Sequence, residues 1–318
     1  MIASTAAGAL EIHGHRGARG DRPENTLAAF AHALSLGVHA LEMDVGISRD
    51  GVVVVHHDST LNPDTTRDAQ GAWLTPGART PIHQLVAAQL AALDVGAARP
   101  GSALARRFPS QSAVDGQRIP TLAQVIALAS RAGNHAVRFN VETKITPTAP
   151  ALTPGPDAFA DAVIHVLRDA GVAARATIQS FDWRVLRHVQ AVAPEIATGY
   201  LSAQREGWDT ITTAGHGPSP WTGGIAADDH GGSVPRMVKA AGGRIWSPDY
   251  QDLDARALAE AHALGLRVIV WTVNAPRDIR RLIALGVDGI ISDYPQRVRD
   301  AARAAGLALP AGTPVAGS

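Results

Sequence analysis

Two carboxylates one residue apart, Glu42 and Asp44, stand in the apolar stretch ALEMDVGI (40–47), and a second apolar run, 52–57, ends in His56 and His57. Side chains alternate along a strand, which puts Glu42 and Asp44 on one face. The Asp50-Gly51 pair between the two runs is a hairpin signal. A turn centred on that pair sets position 44 opposite position 57 and brings His57 beside Asp44. A third carboxylate, Glu142, ends the strand-like AVRFNVETK (136–144), with Lys144 two residues on. His15 and Arg16 end an earlier strand-like run, 10–15, placing them where α/β proteins carry their chemistry. Buried carboxylates without partners are prohibitive, so the three acids call for a cation. Oxygen ligands alone suit a hard divalent ion, Mg²⁺ or Ca²⁺. The acids outnumber that ion's charge by one, and Arg16 and Lys144 supply what an anionic substrate would still need. Lys144 is one of two lysines, with Lys239, among 29 basic residues, which singles it out as a compact, rotatable charge. Two imidazoles beside a metal are acid–base groups for neutral pH. These parts amount to hydrolysis of a phosphate ester.

The rest of the chain has to bring these residues together. Runs starting at Leu10, Ala40, Ala136, Arg175, Ile196, Arg244, Arg267 and Gly289 read as strands separated by helices, with caps at Thr121, Asp182, Asp254 and Asn274. The run 52–57 is a ninth. A tight turn joins it to 40–47, so it is antiparallel and cannot be a parallel stave. Eight staves remain, and the expectation is a (β/α)8 barrel with an antiparallel hairpin after its second strand. An open doubly wound sheet would want a dinucleotide-type glycine loop after the first strand, which Gly17 and Gly20 do not make. Residues 59–118 break the rhythm and read as an insertion over the site within a single domain spanning 1–308. The tail from 309 to 318 reads as disordered.

Composition narrows the partners. Net charge is zero and no basic block appears, which leaves nothing to favour nucleic acid. The absence of Cys removes disulfides and thiol chemistry. No apolar run approaches the ~18 residues of a membrane span. The first twelve residues lack the basic and apolar regions of a signal peptide, which fits a cytoplasmic start or an exported protein already trimmed. A small-molecule substrate is expected; oligomeric state is not legible.

The segments GHRGARGDRPENTLAAF, LEMDV, DGVVVVHHDSTL, FNVETK, IQSFD, VIVWTVN and VDGIISDYP, in this order, resemble the glycerophosphodiester phosphodiesterase family along nearly the whole chain. The resemblance implies a divalent ion held by Glu42, Asp44 and Glu142. It implies His15 and His57 as the acid–base pair, with Arg16 and Lys144 on the phosphate. It further implies cleavage of glycerophosphodiesters, such as glycerophosphocholine and glycerophosphoethanolamine, to glycerol 3-phosphate and an alcohol. Phe181 and Trp271, near strand ends, could cover the glycerol carbons or simply pack the barrel. His13 departs from the pattern and reads as a hydrogen-bonded core histidine.

Two other readings stand beside this one. His13 and His15 on one strand suggest a zinc amidohydrolase barrel, but the later histidines, His165, His188, His216, His230 and His262, fall on helices or loops. A barrel that only binds phosphodiesters would have no need of the full set of acids and imidazoles.

Overall fold

The computed structural model describes residues 10–212 and 217–315. The opening residues 1–9, His216 and the last three residues of the tail lie outside the described residues. The strands are β1 (Glu11–Gly14), β2 (Ala40–Ile47), β3 (Val53–Val55), β4 (Arg138–Thr143), β5 (Ala176–Ser180), β6 (Ala197–Ser202), β7 (Gln204–Arg205), β8 (Trp208–Asp209), β9 (Ile245–Pro248), β10 (Arg267–Val270) and β11 (Gly289–Ser292). Eight of them pair in parallel in the order β1-β11-β10-β9-β6-β5-β4-β2, and β1 also pairs with β2, closing the ring. The expected (β/α)8 barrel is the architecture. The barrel strands are apolar on the helix-facing side because both faces of a parallel sheet are covered.

The helices are α1 (Leu27–Leu36), α2 (Ala87–Ala91), α3 (Ala103–Arg107), α4 (Leu122–Arg131), α5 (Pro156–Asp169), α6 (Trp183–Val192), α7 (Val234–Ala240), α8 (Ala255–Ala263), α9 (Pro276–Leu285) and α10 (Pro295–Ala304). Thr26, Thr121, Asp182 and Asp254 accept N-terminal amides of α1, α4, α6 and α8 as caps. Asn274 does not cap α9: the helix begins one residue later, after Ala275, and the Asn274 amide is committed to Asp293 at 2.7 Å. Gly17 has φ +85, and a Cβ there would meet the backbone of Ala29 at 2.6 Å, so the close approach is to α1 rather than to a ligand.

The hairpin register differs from the expectation by one. Val45 faces Val55 and Ile47 faces Val53, and Ser48 and Val52 close a three-residue loop, with Gly51 at φ +81. A longer loop shifts the pairing, so His56, not His57, lies across from Asp44 and donates its backbone N–H to the Asp44 carbonyl at 2.9 Å. His57 still enters the site, because pairing ends at Val55 and the chain turns away from the strand.

Residues 59–118 hold α2, α3 and a 3₁₀ turn around a small core of Val54, Leu61, Ile82, Leu90, Val95 and Ile119. Asp94 ties it together, taking Arg67 at 2.8 Å and the amides of Gly96 and Gly116. Within the tail the Thr313 amide donates to Leu34 at 2.8 Å and its hydroxyl accepts from Asn134 at 3.0 Å.

At the barrel's lower end the Ile12 amide donates to His39 Nδ1 at 3.1 Å. Burial, offset only in part by Glu11, pushes His39 down to about 4. The unfolded chain then binds its proton more readily, so stability is full above the ordinary imidazole value and falls as pH drops toward 4. His39→Asn keeps an acceptor for Ile12 and is expected to flatten this loss. Urea midpoints on either side of that window read it; an unchanged pH slope in the variant would contradict it.

Candidate active site

Parallel register builds the site. Asp44 pairs with Glu142, which pairs with Gln179, so three side chains from β2, β4 and β5 sit in one row at the upper mouth. Glu42 lies one layer below, beside Asn140, and reaches up. Ligand atoms of Glu42, Asp44 and Glu142 all lie within 4.8 Å of one another. No other group of His, Cys, Asp or Glu among the described residues is arranged to hold an ion. The zinc reading therefore has no coordination sphere; His13 instead bonds Glu11 at 3.1 Å and Asn140 at 3.2 Å as a buried core residue.

The loop after β1 folds over these acids. Arg16 adopts φ +51 and Asn25 φ +57, both in the left-handed region that side-chain-bearing residues avoid. This backbone points the Arg16 amide at Glu42 Oε2, 2.9 Å away, and the Asn25 amide group at Asp44 Oδ2, also 2.9 Å away. The Arg16 guanidinium lies 3.0 Å from Asp44 and 2.8 Å from Glu24. Lys144 stands 2.6 Å from Glu142 and 3.7 Å from Asp44 Oδ1. Gln179 donates to Glu42 Oε1 at 3.0 Å.

The charges do not balance. Burial raises Glu42 well above the usual carboxylate range, and Asp44 and Glu142 push it the same way. Burial also raises Glu142 despite Lys144 beside it. Asp44 goes the other way: Arg16, His57 and Lys144 outweigh its burial and hold it low. Its Oδ1 is buried yet accepts no hydrogen bond. A cluster of three acids with a vacant acceptor and surplus negative charge fits a hard divalent cation.

Each candidate histidine is held through Nδ1 by a carboxylate. His15 meets Asp293 at 2.5 Å and His57 meets Asp58 at 2.6 Å. Asp293 is fully buried, whereas the Asp58 side chain is 38 % exposed. Burial lowers both imidazoles; for His57, Arg16 and Lys144 add to it and bring it to about 4. His56 turns away and bonds the Asp58 carbonyl at 2.8 Å.

Around this centre runs a cleft of about 720 Å³ that His15, Arg16, Glu42, His57, Glu142, Lys144, Phe181 and Trp271 all line. Every residue singled out for substrate, acid–base or metal chemistry thus borders it, except Asp44, which is fully buried. Phe181 and Trp271 form an aromatic wall with Trp208 and Trp221, ring centroids 4.9–6.4 Å from Phe181. Trp208 comes from the short β7–β8 hairpin, and Arg205 of that hairpin lies over Trp208 and Trp271 while pairing with Asp249 at 2.7 Å.

Several site residues were not singled out from sequence. Glu24 and Asn25 stood in the quoted PENT segment and Gln179 in IQSFD, so the signal was present in the motif but without a role. Asp293 stood in SDYP; its partner is 278 residues away, and only ring closure makes them neighbours. Trp208 had no signal beyond its residue type.

A closed parallel barrel whose carboxyl ends gather three buried acids that could hold an ion, two carboxylate-held imidazoles and two basic side chains around one cleft has the make-up of a metal-dependent phosphodiesterase class. The model of the Glycerophosphoryl diester phosphodiesterase family matches residues 15–297, and the chain belongs to that family. It is 27% identical over 292 residues to a glycerophosphodiester phosphodiesterase of Caldanaerobacter subterraneus, covering 92% of this chain and 97% of that one. A crystal structure from Silicibacter pomeroyi, whose assignment as a glycerophosphoryl diester phosphodiesterase is provisional, is similar at TM-score 0.83 and 38% identity over 95% of each chain. An Oleispira antarctica phosphodiesterase in complex with the product sn-glycerol 3-phosphate is similar at TM-score 0.66 and 25% identity, covering 93% of this chain and 97% of that one.

Proposed function

We propose that the protein hydrolyses glycerophosphodiesters, such as glycerophosphocholine and glycerophosphoethanolamine, to glycerol 3-phosphate and an alcohol, with Mg²⁺ or Ca²⁺ held by Glu42, Asp44 and Glu142. The observation that carries this reading is the conjunction of the buried acid cluster with two carboxylate-held imidazoles around one cleft. When bound, the ion supplies Lewis-acid stabilisation of charge on the phosphoryl oxygens. Arg16 and Lys144 hold the remaining phosphate charge as point partners.

His57, kept neutral by burial and its cationic neighbours, takes the proton of the attacking hydroxyl. Water as the nucleophile gives glycerol 3-phosphate directly. The substrate's own glycerol 2-hydroxyl gives a cyclic phosphate that water then opens to glycerol 3-phosphate, with the two histidines exchanging roles. His15 gives its proton to the leaving alkoxide as the phosphorus–oxygen bond to the alcohol breaks. Asp293 orients His15 and, being buried, compensates the imidazolium more strongly than solvated Asp58 can compensate that of His57. Product analysis tests the reading. Glycerol 3-phosphate and free choline are expected from glycerophosphocholine; release of phosphocholine and glycerol would contradict it.

Phe181 and Trp271 cover the glycerol carbons in this reading. Trp271→Ala is expected to raise KM for glycerophosphocholine roughly ten-fold with a smaller change in kcat, since an aromatic contact outside the reacting bonds acts as uniform binding. An unchanged KM would assign the ring to barrel packing.

A further inference from the structure

The two sides of the cleft differ in a way the scissile phosphate does not require. One side is the aromatic wall, whose Arg205 is neutralised by Asp249 at 2.7 Å. The opposite side carries Arg19 from the loop after β1 and Arg107 from the end of α3, in the inserted region. Both lie against one ring, Phe108, with guanidinium carbons 4.7 and 5.3 Å from its centroid. Like charges gathered on one ring face an electrostatic cost unless anions answer them.

The anions present are already engaged. Glu24 pairs with Arg16 at 2.8 Å and stands 3.2 Å from Arg19 Nε. Asp293 holds His15 at 2.5 Å and takes Asn274 at 2.7 Å, leaving Arg19 and Arg107 at 3.8 and 3.9 Å. Glu24 thus gives one oxygen to Arg16, which also has Asp44, and the other to Arg19, while Arg107 has, among the described residues, only the distant Asp293. Arg19 is 5% exposed, and its Nε donates no hydrogen bond. The Arg19 Nε is sealed beside Glu24, so what Arg19 offers the cleft it lines is positive charge at the wall, which an anion in the cleft would complement. Its half-exposed neighbour Arg107 reaches the same space from the rim.

We propose that Arg19 and Arg107 form an anion subsite for the leaving group, selecting glycerophosphodiesters whose alcohol carries a further phosphate monoester. The inference rests on the proposed function, which puts the glycerol against the aromatic wall and so directs the leaving alcohol to the arginine side. The subsite acts on binding and takes no part in bond breaking.

The test compares kcat/KM for glycerophosphoglycerol with that for the same diester bearing a phosphate monoester on the leaving glycerol. The wild-type protein is expected to prefer the phosphorylated substrate by about ten-fold, the scale of one charge-assisted contact at a partly exposed site. Arg107→Gln is expected to remove most of that preference. Arg106→Gln, which deletes the same charge one residue away from a side chain that does not line the cleft, is expected to keep it. Equal rates on the two substrates, or a preference that survives Arg107→Gln, overturns the subsite while leaving the proposed function standing. A preference lost equally in both variants assigns it to overall charge and also overturns the subsite. Turnover of neither substrate overturns the proposed function and this inference with it.

Discussion

His15→Ala and His57→Ala each lose about two or more orders of magnitude in kcat on glycerophosphocholine, while KM changes far less. The expectation follows from position. Both rings border the cleft, and both have Nδ1 fixed by a carboxylate, which leaves Nε2 to exchange a proton with substrate; that of His15 lies 3.9 Å from Glu42. Neither ring belongs to the group of acids arranged to hold an ion. An activated p-nitrophenyl leaving group needs no acid, so it is expected to rescue His15→Ala and leave His57→Ala inactive. Rescue of His57→Ala alone would reverse the assigned roles. Near wild-type rates for both variants on glycerophosphocholine would end the two-histidine account.

Glu42→Gln and Glu142→Gln are expected to lose the bound ion and activity together while the fold survives. The apo protein gives this prediction a second readout. Glu42 is buried and repelled by Asp44 and Glu142, so its charge opposes folding when no cation is present. Neutralising it relieves that repulsion, and Glu42→Gln is expected to melt above the wild-type protein in chelator. Wild type is expected to gain stability on adding the ion, by mass action on the folded state, and the variant to gain little. A variant that still binds one equivalent of ion by elemental analysis, with a wild-type melting shift, would remove Glu42 from the site.

Much of this architecture was legible because its signals are local. Eight staves could be counted once the tight turn made 52–57 antiparallel, and the acids could be placed on one face from strand period alone. The register error at the hairpin has an equally local cause. Asp50-Gly51 suits a two-residue turn, but Arg49 joins the loop, and one extra residue moves every pairing. Helix α5 was not singled out because the Pro-rich approach, ITPTAPALTPGP, masks a helix that begins with Pro156. The supports of the site were least legible. Asp293, Asn274 and Gln179 owe their roles to ring closure and parallel register, which bring together side chains far apart in sequence. Arg107 and Trp208 come from irregular segments whose paths no periodicity describes.

Hydrolysis of glycerophosphocholine by protein stripped of metal, followed by measured return of Mg²⁺ or Ca²⁺, separates metal-held chemistry from metal-free chemistry. No glycerol 3-phosphate is expected from the stripped protein. Rates are expected to rise with added ion to a plateau at one ion per chain, with no recovery in Glu142→Gln. Full release of glycerol 3-phosphate from protein shown by elemental analysis to hold no divalent ion would contradict metal-held chemistry.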